Sequence, residues 1–421
     1  MRLPRSGGAR PGPVRGRRAL SLLAALLVVA PGCMEEQVIA PELDELEDEA
    51  EAAVYYPDRD EWQRRAPRQA GLDPELLDAA VELARSRESD IPVDVRSWLQ
   101  ERLGGGEHQE ILGPVKQRGP MSGVVVRAGY IVAEWGDTER ADMAFSVTKS
   151  FLSTLAGVAR REGLIPDLDA PVGQLVDDGG YDSRHNAAIT WDHTLRQTSE
   201  WEGELWDKPD TADRREGRDR RLQEPGTFWE YNDVRVNRAA LSLSRVWKAP
   251  LPEVLRRHVM GRIGAGNSWR WHGYRNSTVS VDGREIESVS GGGHWGGGLW
   301  IASRDLARWG YLWLREGSWD GRRILPAEYV ERALTPTDVK PTYGYMLWLN
   351  TDGELWPGVP ESSYAALGGG SHVVWVSPEQ ELVAVVRWIE RDAVGELLAA
   401  LSEAVTGPVT GAGTDGAGAG S

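Results

Sequence analysis

The stretch that decides the fold is residues 144–161, AFSVTKSFLSTLAGVARR. Its Leu, Ala and Val residues recur at helical spacing, which predicts a helix from Phe145 to Arg161. Because residues three apart share a helix face, we expect the amine of Lys149 beside the hydroxyl of Ser146. Free N–H groups at the helix start and a partly desolvated lysine would activate this serine as a nucleophile. The alternative is a capping serine followed by a solvated lysine.

A second segment, residues 225–237 (PGTFWEYNDVRVN), carries a Pro-Gly turn, an aromatic cluster and then a helical pattern. Its Tyr231 stands just before the predicted helix, and a tyrosine in that position can donate or accept a proton in a cleft. The alternative for Tyr231 is a half-buried packing role.

A third segment, residues 366–372 (ALGGGSH), precedes a strand-like apolar run. Residues without side chains would let a substrate lie against the strand edge, so Gly369, Gly370 and Ser371 are candidate substrate-binding residues. A backbone N–H from this strand could join that of Ser146 as an oxyanion hole. The alternative is a plain glycine turn.

Hairpin patterns lie near both ends of the chain. Residues 124–126 and 130–132 read as two strands around a short turn, and residues 372–376 and 382–388 read as a second pair. A helix is predicted from Asp73 to Arg85, and another from Ala393 to Val405. Together the patterns predict an α/β (α+β type) fold, in which an antiparallel sheet is flanked by helices and a mainly helical subdomain is inserted at about residues 166–271.

The chain is predicted to have four parts. An arginine-rich stretch and a short apolar run make residues 1–32 a secretory signal peptide. Residues 33–62 are acidic and are predicted to form a tether. Residues 63–405 are predicted to form one folded domain, and residues 406–421 a disordered tail. The only cysteine, Cys33, follows the apolar run directly, which predicts lipidation and a lipid anchor in a bacterial cell envelope. The alternative is an ordinary cleaved signal peptide.

Composition excludes several classes of partner. The formal charge of −16 argues against nucleic acid and against an anionic membrane surface, so a membrane is expected only through the lipid anchor. A single cysteine excludes an intramolecular disulfide framework. His185 and His193 fit no usual zinc spacing, so no metal is expected.

Aromatic residues of the middle region have two interpretations. Trp201, Trp206 and Trp229 could form an aromatic substrate wall, or they could pack in the core. His294 and Trp295, which stand between two glycine triplets, could line the cleft.

The first two segments together resemble the class C β-lactamase-like serine hydrolases, a group that includes β-lactamases, D-Ala-D-Ala carboxypeptidases, certain esterases and 6-aminohexanoate-dimer hydrolases. Ser146 and Lys149 match the family's S-x-x-K motif, and Tyr231 matches the first position of Y-x-N, where Asp233 replaces the asparagine. Residues 189–199 and 296–307 are also similar to the family. The resemblance spans about residues 70–405 and implies a β-lactamase/transpeptidase-like fold.

The resemblance implies Ser146, Lys149 and Tyr231 as the catalytic residues, Asp233 as a candidate substrate or oxyanion contact, and no cofactor. The third family motif, K-T-G or a His-containing variant, is missing in clear form, and residues 366–372 (ALGGGSH) stand in its place without a lysine or a threonine. The expected function is therefore a serine hydrolase that cleaves a small-molecule ester or amide. The alternatives are a β-lactamase or D-Ala-D-Ala carboxypeptidase, and a non-catalytic relative that binds peptidoglycan or a protein.

Overall fold

The computed structural model describes residues 54–59 and 61–409. The α-helices of this part are α1 (Pro74–Ser86), α2 (Val95–Leu103), α3 (Val147–Arg161), α4 (Trp191–Leu195), α5 (Asp233–Trp247), α6 (Leu251–Leu255), α7 (Ser303–Leu314), α8 (Ala327–Leu334) and α9 (Ala393–Glu403). The strands are β1 (Ser122–Arg127), β2 (Tyr130–Trp135), β3 (Asp142–Met143), β4 (Glu204–Leu205), β5 (Lys208–Pro209), β6 (Arg270–Val281), β7 (Arg284–Val289), β8 (Gly298–Ile301), β9 (Ser318–Trp319), β10 (Arg322–Arg323), β11 (Trp348–Leu349), β12 (Tyr364–Gly368), β13 (His372–Ser377) and β14 (Leu382–Arg387).

The larger sheet has six antiparallel strands in the order β11-β12-β13-β14-β1-β2. It contains both predicted hairpins, β1–β2 and β13–β14, side by side, because β1 pairs with β14. The prediction of an antiparallel sheet flanked by helices is confirmed. A second sheet, in the order β3-β8-β6-β7, joins β3, which precedes α3, to three strands that follow the helical middle region, and the sequence patterns do not predict it.

Both faces of the larger sheet are buried, which explains why β1, β13 and β14 are apolar without alternation. One face packs against α1 and α9 through the side chains of Val125, Trp375, Ala384 and Val386. The opposite face packs against α3 and α7 through Val124, Val126, Val374, Val383 and Val385.

Helix α1 begins where the sequence indicated. The side chain of Asp73 accepts hydrogen bonds from the backbone N–H groups of Glu75 (2.8 Å) and Leu76 (3.2 Å), and Pro74 occupies the first turn. Aspartate at the N-cap and proline at the first helical position both favour helix initiation. The cap therefore fixes the helix within one residue of its predicted start.

Helix α3 runs through the middle of the core, and every residue from Val147 to Ala159 is buried. Phe151 stacks on Trp309 of α7, with ring centroids 4.9 Å apart. A helix that is surrounded on all sides has little freedom to shift, so the two side chains at its start, Ser146 and Lys149, are held rigidly.

The segment before the body differs from its predicted role as a tether over residues 33–62. Its described part packs on the body: Tyr55 stacks on Tyr130 at 4.2 Å between centroids, and the Tyr55 carbonyl accepts a hydrogen bond from the Tyr311 hydroxyl (2.8 Å). The folded body therefore includes Tyr55, which lies ahead of its predicted start at residue 63. The predicted signal peptide, Cys33 and most of the C-terminal tail lie outside the described residues.

No helix within residues 54–59 and 61–409 is both long and apolar enough to cross a membrane.

Residues 166–269 form helices and loops around a buried cluster of ion pairs. The Glu200 carboxylate, which is 0% exposed, contacts Arg220 and Arg235 at 2.6 Å each. Glu230 is also 0% exposed and contacts Arg220 at 2.5 Å. Because the cluster joins the loop at Glu200 to the segment before α5, it fixes the shape of the region that carries Tyr231.

Removing one charge from this cluster should be costly. The substitution Glu200→Gln removes the carboxylate that pairs with the buried Arg235 and the half-buried Arg220, both of which keep Glu230 as a partner. We therefore expect the free energy of unfolding to fall by about 1–3 kcal/mol. Urea denaturation measures the change, and Glu224→Gln, an exposed residue of the same region, serves as the matched control with less than about 0.5 kcal/mol expected. Equal effects of the two substitutions would contradict the assignment.

Candidate active site

Ser146 occupies the position directly before α3, and its side chain is half-buried. The preceding residue, Phe145, has φ +47°, a left-handed conformation that is unfavourable for a bulky side chain. Its ring is held between Trp98 (5.7 Å), His372 (5.7 Å) and Trp388 (6.2 Å), measured between centroids. This packing compensates for the strained backbone that turns the chain sharply into the helix, with Ser146 at the bend.

Lys149 lies one helical turn beyond Ser146, as the spacing predicts. Its Nζ atom is 2.9 Å from the Ser146 Oγ and 2.8 Å from the Asp233 Oδ1, and its side chain is 1% exposed. Burial lowers the pKa of Lys149, while the neighbouring Asp233 carboxylate acts in the opposite direction. The amine is therefore desolvated and within direct reach of the serine hydroxyl.

Asp233 is the first residue of α5, and Asn232 caps that helix by accepting hydrogen bonds from the N–H groups of Val234 (3.0 Å) and Arg235 (3.1 Å). The Asp233 carboxylate is 2% exposed and contacts Lys149. Burial alone would raise its pKa, but the charges of Lys149, His294 and Arg215 and the hydrogen bond from Lys149 together outweigh burial and lower the pKa to about 2. The candidate substrate contact thus faces the lysine rather than solvent.

Tyr231 comes to the other side of the serine. Burial raises its pKa, against the smaller effect of an interaction with the Ser146 side chain, so the phenol is protonated at neutral pH. Two cations contact its ring: Lys149 Nζ is 4.6 Å and Arg215 Cζ is 4.7 Å from the ring centroid. The structure therefore brings Ser146, Lys149 and Tyr231 together, although they come from two distant segments.

Of the three tryptophans considered for an aromatic wall, Trp229 lies beside Tyr231, with centroids 6.2 Å apart. Trp348 stacks on Tyr231 at 6.0 Å and contacts Trp229 at 6.0 Å, which extends the aromatic surface. Trp201 is instead a core residue whose Nε1 donates to the Gly180 carbonyl (2.7 Å). Trp206 also packs against the core rather than on this surface.

The glycine segment forms the turn between β12 and β13. A Cβ atom added to Gly368 would lie 2.4 Å from the Ala144 carbonyl oxygen, and one added to Gly369 would lie 3.3 Å from the Phe145 ring. Gly370 and Ser371 complete the turn with φ values of +76° and +53°. The glycines thus allow this hairpin to approach the residues just before Ser146, while the oxyanion role stays a prediction.

Three residues near this site are not predicted from the sequence, namely Asp213, Arg215 and Gly292, whereas His294 is one of the two residues predicted to line the cleft. Asp213 Oδ2 accepts a hydrogen bond from the backbone N–H of Asp233 at 2.7 Å, and His294 Nε2 lies 3.7 Å from Asp213 Oδ1. The glycine triplets on each side of His294 were the sequence signal for a close backbone approach. Asp213 and Arg215 lie in a charged loop that carries no such signal.

Asp213, Asp233 and His294 are the one group in the described residues that could hold a metal ion, with donor atoms within 4.8 Å of one another. Both carboxylates already contact cations, since Asp233 pairs with Lys149 and Arg215 lies 3.4 Å from Asp213. A divalent ion would be repelled by these two cations, so the donor set fits a metal poorly.

His185 and His193, whose spacing fits no usual zinc site, both form hydrogen bonds with backbone atoms. His185 Nε2 hydrogen-bonds to the Glu200 carbonyl (2.9 Å), and His193 closes a capping box with Thr190 at the start of α4.

Comparison with known proteins gives a family match over most of the body. The family model described as Beta-lactamase matches residues 121–388, and the resemblance seen in the sequence is confirmed. An uncharacterized protein of Alkalihalophilus pseudofirmus is 31% identical over 98 residues, which are 21% of this chain and 29% of that protein. The match therefore spans less than a third of that relative's length.

Solved structures support the same fold. EstCE1, a hydrolase with promiscuous acyltransferase activity, aligns with a TM-score of 0.50 at 15% identity, over 74% of this chain and 100% of that chain. SurE aligns with a TM-score of 0.50 at 16% identity, over 75% of each chain. At these identities the likeness establishes the β-lactamase/transpeptidase-like fold alone.

The Lys149–Asp233 pair requires a residue without a side chain at position 292. A Cβ atom on Gly292 would lie 2.0 Å from Asp233 Oδ1 and 2.2 Å from Lys149 Nζ, so Gly292→Ala should force the pair apart. We expect thermal or urea unfolding to show a loss of about 1–3 kcal/mol, the usual cost of overpacking a core. Gly105→Ala, where an added Cβ meets no atom within 4 Å, should change stability by less than about 0.5 kcal/mol. An unchanged Gly292→Ala variant would rule out the close approach.

Proposed function

The chain belongs to the Beta-lactamase family, and from that premise we propose that it is a serine hydrolase that cleaves an ester or small amide through an acyl-enzyme on Ser146. The observation that carries the proposal is that the buried Lys149 amine lies 2.9 Å from the Ser146 hydroxyl. The Tyr231 side chain, whose ring centroid is 4.6 Å from Lys149 Nζ, interacts with the same hydroxyl. The Beta-lactamase family match and hydrolase-like fold support the coarser assignment as a hydrolase.

In the first step, neutral Lys149 accepts the proton of Ser146 as the serine oxygen bonds to the substrate's carbonyl carbon. The carbonyl oxygen becomes an oxyanion, which backbone N–H groups of Ser146 and of the Gly369–Ser371 turn would stabilise. Burial favours the neutral amine that this step requires, because a desolvated ammonium is costly.

In the second step, the bond to the leaving alcohol or amine breaks as Tyr231 donates its proton to that group. The tyrosine is restored by the proton that Lys149 took from the serine. Water then attacks the acyl-enzyme with the same residues in reverse roles, releasing the acid and regenerating Ser146. The balance needs no cofactor, since water is the only second reactant.

The absence of a basic residue in the β12–β13 turn is the reason to place esters and small amides ahead of β-lactams. A β-lactamase or D-Ala-D-Ala carboxypeptidase of this family would be expected to carry the K-T-G motif there. A non-catalytic role would not require the Lys149 amine to lie 2.9 Å from the Ser146 hydroxyl in addition to its pairing with Asp233.

Labelling and kinetics test the acyl-enzyme. Wild-type protein should react with a fluorophosphonate probe, and Ser146→Ala should abolish the labelling because the acceptor oxygen is gone. Lys149→Ala and Tyr231→Phe should each lower kcat for a p-nitrophenyl ester by ~10²-fold or more, the usual scale for a lost acid–base group. The losses should not add in the double variant, because the residues act as a unit.

The matched control is Tyr130→Phe, a tyrosine that stacks on Tyr55 away from the site. Labelling that persists in Ser146→Ala would place the nucleophile elsewhere and refute the proposal. Labelling by fluorescent penicillin without turnover of esters would favour the β-lactam alternative.

Asp233 should set the pH at which the base becomes active. The Asp233 carboxylate raises the pKa of Lys149 against the effect of burial. Asp233→Asn removes that charge, so the pKa of Lys149 should fall and the neutral amine should persist to lower pH. We expect the acidic limb of the kcat/KM profile to move to lower pH, with Asp282→Asn at an exposed turn as the control. A shift of the limb to higher pH would show that Lys149 is not the titrating base.

A further inference from the structure

A buried arginine lies where the larger sheet meets the second sheet. Arg387 is the last residue of β14 and is 1% exposed. It continues the face of the sheet that carries Val383 and Val385, because side chains two residues apart in a strand point the same way. Its Nη2 donates a hydrogen bond to the carbonyl of Ile301 (2.5 Å), the last residue of β8. The guanidinium is therefore enclosed between the two sheets.

Most of this guanidinium has no protein partner. In the part of the chain that the structure describes, Nε and Nη1 of Arg387 donate no hydrogen bond, and Arg387 forms no ion pair with a carboxylate. Burial lowers the pKa of Arg387 to about 10, so the group is still a cation at neutral pH. A buried charge without a partner is among the most costly arrangements in a protein interior. This cation therefore calls for a negative charge in direct contact with it.

His372 brings a second set of unused nitrogens to the same place. Val373 of β13 pairs with Val386 of β14, which puts His372 next to Arg387 at the end of the two strands. His372 is 1% exposed, and neither ring nitrogen has a hydrogen-bond partner among residues 54–59 and 61–409. Burial, together with the charges of Arg387 and Arg118, lowers the pKa of His372, so the ring is neutral and offers one N–H donor.

The charges around these two residues favour an anion. Asp142 is the carboxylate whose charge acts on Arg387, but Asp142 is itself paired with Arg140 at 3.0 Å. Lys116 is a further cation, and its amine bonds to a backbone carbonyl rather than to a carboxylate. Burial and the charges of Arg140 and Arg387 lower the pKa of Lys116, against the effect of Asp142. The positive charges in this region thus exceed the negative ones, which attracts an anion.

We propose that Arg387 and His372 bind a small monovalent inorganic anion between the two sheets, with chloride as the expected ligand. Arg387 donates to it through Nε and Nη1 and supplies the opposite charge, while a ring N–H of His372 donates from the neighbouring strand. A buried water can accept the same hydrogen bonds, but only an anion compensates the charge. Because the site is enclosed by the core, it is no part of the substrate cleft, and the assignment is independent of the proposed function.

The anion would also support the bend before the proposed nucleophile. The His372 ring packs edge-on against Phe145, with centroids 5.7 Å apart and an interplanar angle of 89°. Phe145 carries the strained φ of +47° directly before Ser146. An anion that fixes His372 therefore fixes one of the rings that hold Phe145 in place.

Exchange of anions at constant ionic strength tests the site in solution. Wild type should have a Tm about 2 °C or more higher in sodium chloride than in sodium gluconate, each at about 0.2 M, because a ligand of the folded state stabilises it. Gluconate is too large for an enclosed site. Arg387→Met should remove the difference between the two salts, and a difference of the same size in this variant would contradict the site.

The matched control is Arg127→Met, which removes another buried arginine of the larger sheet. The Arg127 guanidinium donates to the carbonyls of Ala70 (3.3 Å) and Gly407 (3.0 Å), so its N–H groups are already used by the protein. This variant should lose stability in both salts and keep the difference between them. Loss of the difference in Arg127→Met as well would show that it does not report on Arg387.

Bromide locates the anion directly, because it replaces chloride and scatters X-rays anomalously. Crystals of the wild-type protein grown in sodium bromide should show an anomalous difference peak within hydrogen-bond distance of Arg387 and His372. This measurement needs no variant, so it decides the question even if Arg387→Met does not fold. A water without anomalous signal at that place would overturn the proposal, and so would a direct ion pair between Arg387 and Asp142.

Discussion

The structure around the site depends on one buried ion pair, Lys149–Asp233, whose atoms are 2.8 Å apart. It joins α3 to α5 across 84 positions of sequence. Burying two charges costs several kcal/mol each unless they are paired and hydrogen-bonded, so the surroundings must fit the pair closely. Gly292 has no side chain that would clash with the pair, and the Asp213 carboxylate accepts a hydrogen bond from the backbone N–H of Asp233. Each of these contacts would be lost if either helix shifted by one turn.

The fold supplies the rigidity that this pair needs. Helix α3 can be buried along its length because the larger sheet covers it on one side and α5 and α7 pack on others. The ion-pair cluster around Glu200 makes the region before α5 rigid, because it holds the backbone that carries both Arg215 and Tyr231. Two separate buried ionic clusters therefore position the two halves of the site.

An aspartate at position 233 changes the acid–base balance of the site. With an asparagine there, burial would be opposed only by the weaker effect of the Asp213 carboxylate, and the lysine would lose its proton more readily. With Asp233, the carboxylate favours the charged form of Lys149 and opposes the effect of burial. Arg215 counters part of the added negative charge, at 3.6 Å from Asp233 Oδ2.

Contacts between residues that are close in the chain can be predicted from local periodicity. Ser146 and Lys149 meet because residues three apart share a helix face, and the cap at Asp73 and both hairpins follow from nearest-neighbour chemistry. Which distant groups contact the site depends on the tertiary structure: Arg215 contacts the ring of Tyr231, and Gly292 lies against Lys149. In the same way, Tyr55 stacks on Tyr130, although the acidity of its segment predicts a tether. Such contacts depend on how loops are placed in space, and loop placement follows from the packing of the whole core rather than from any local pattern.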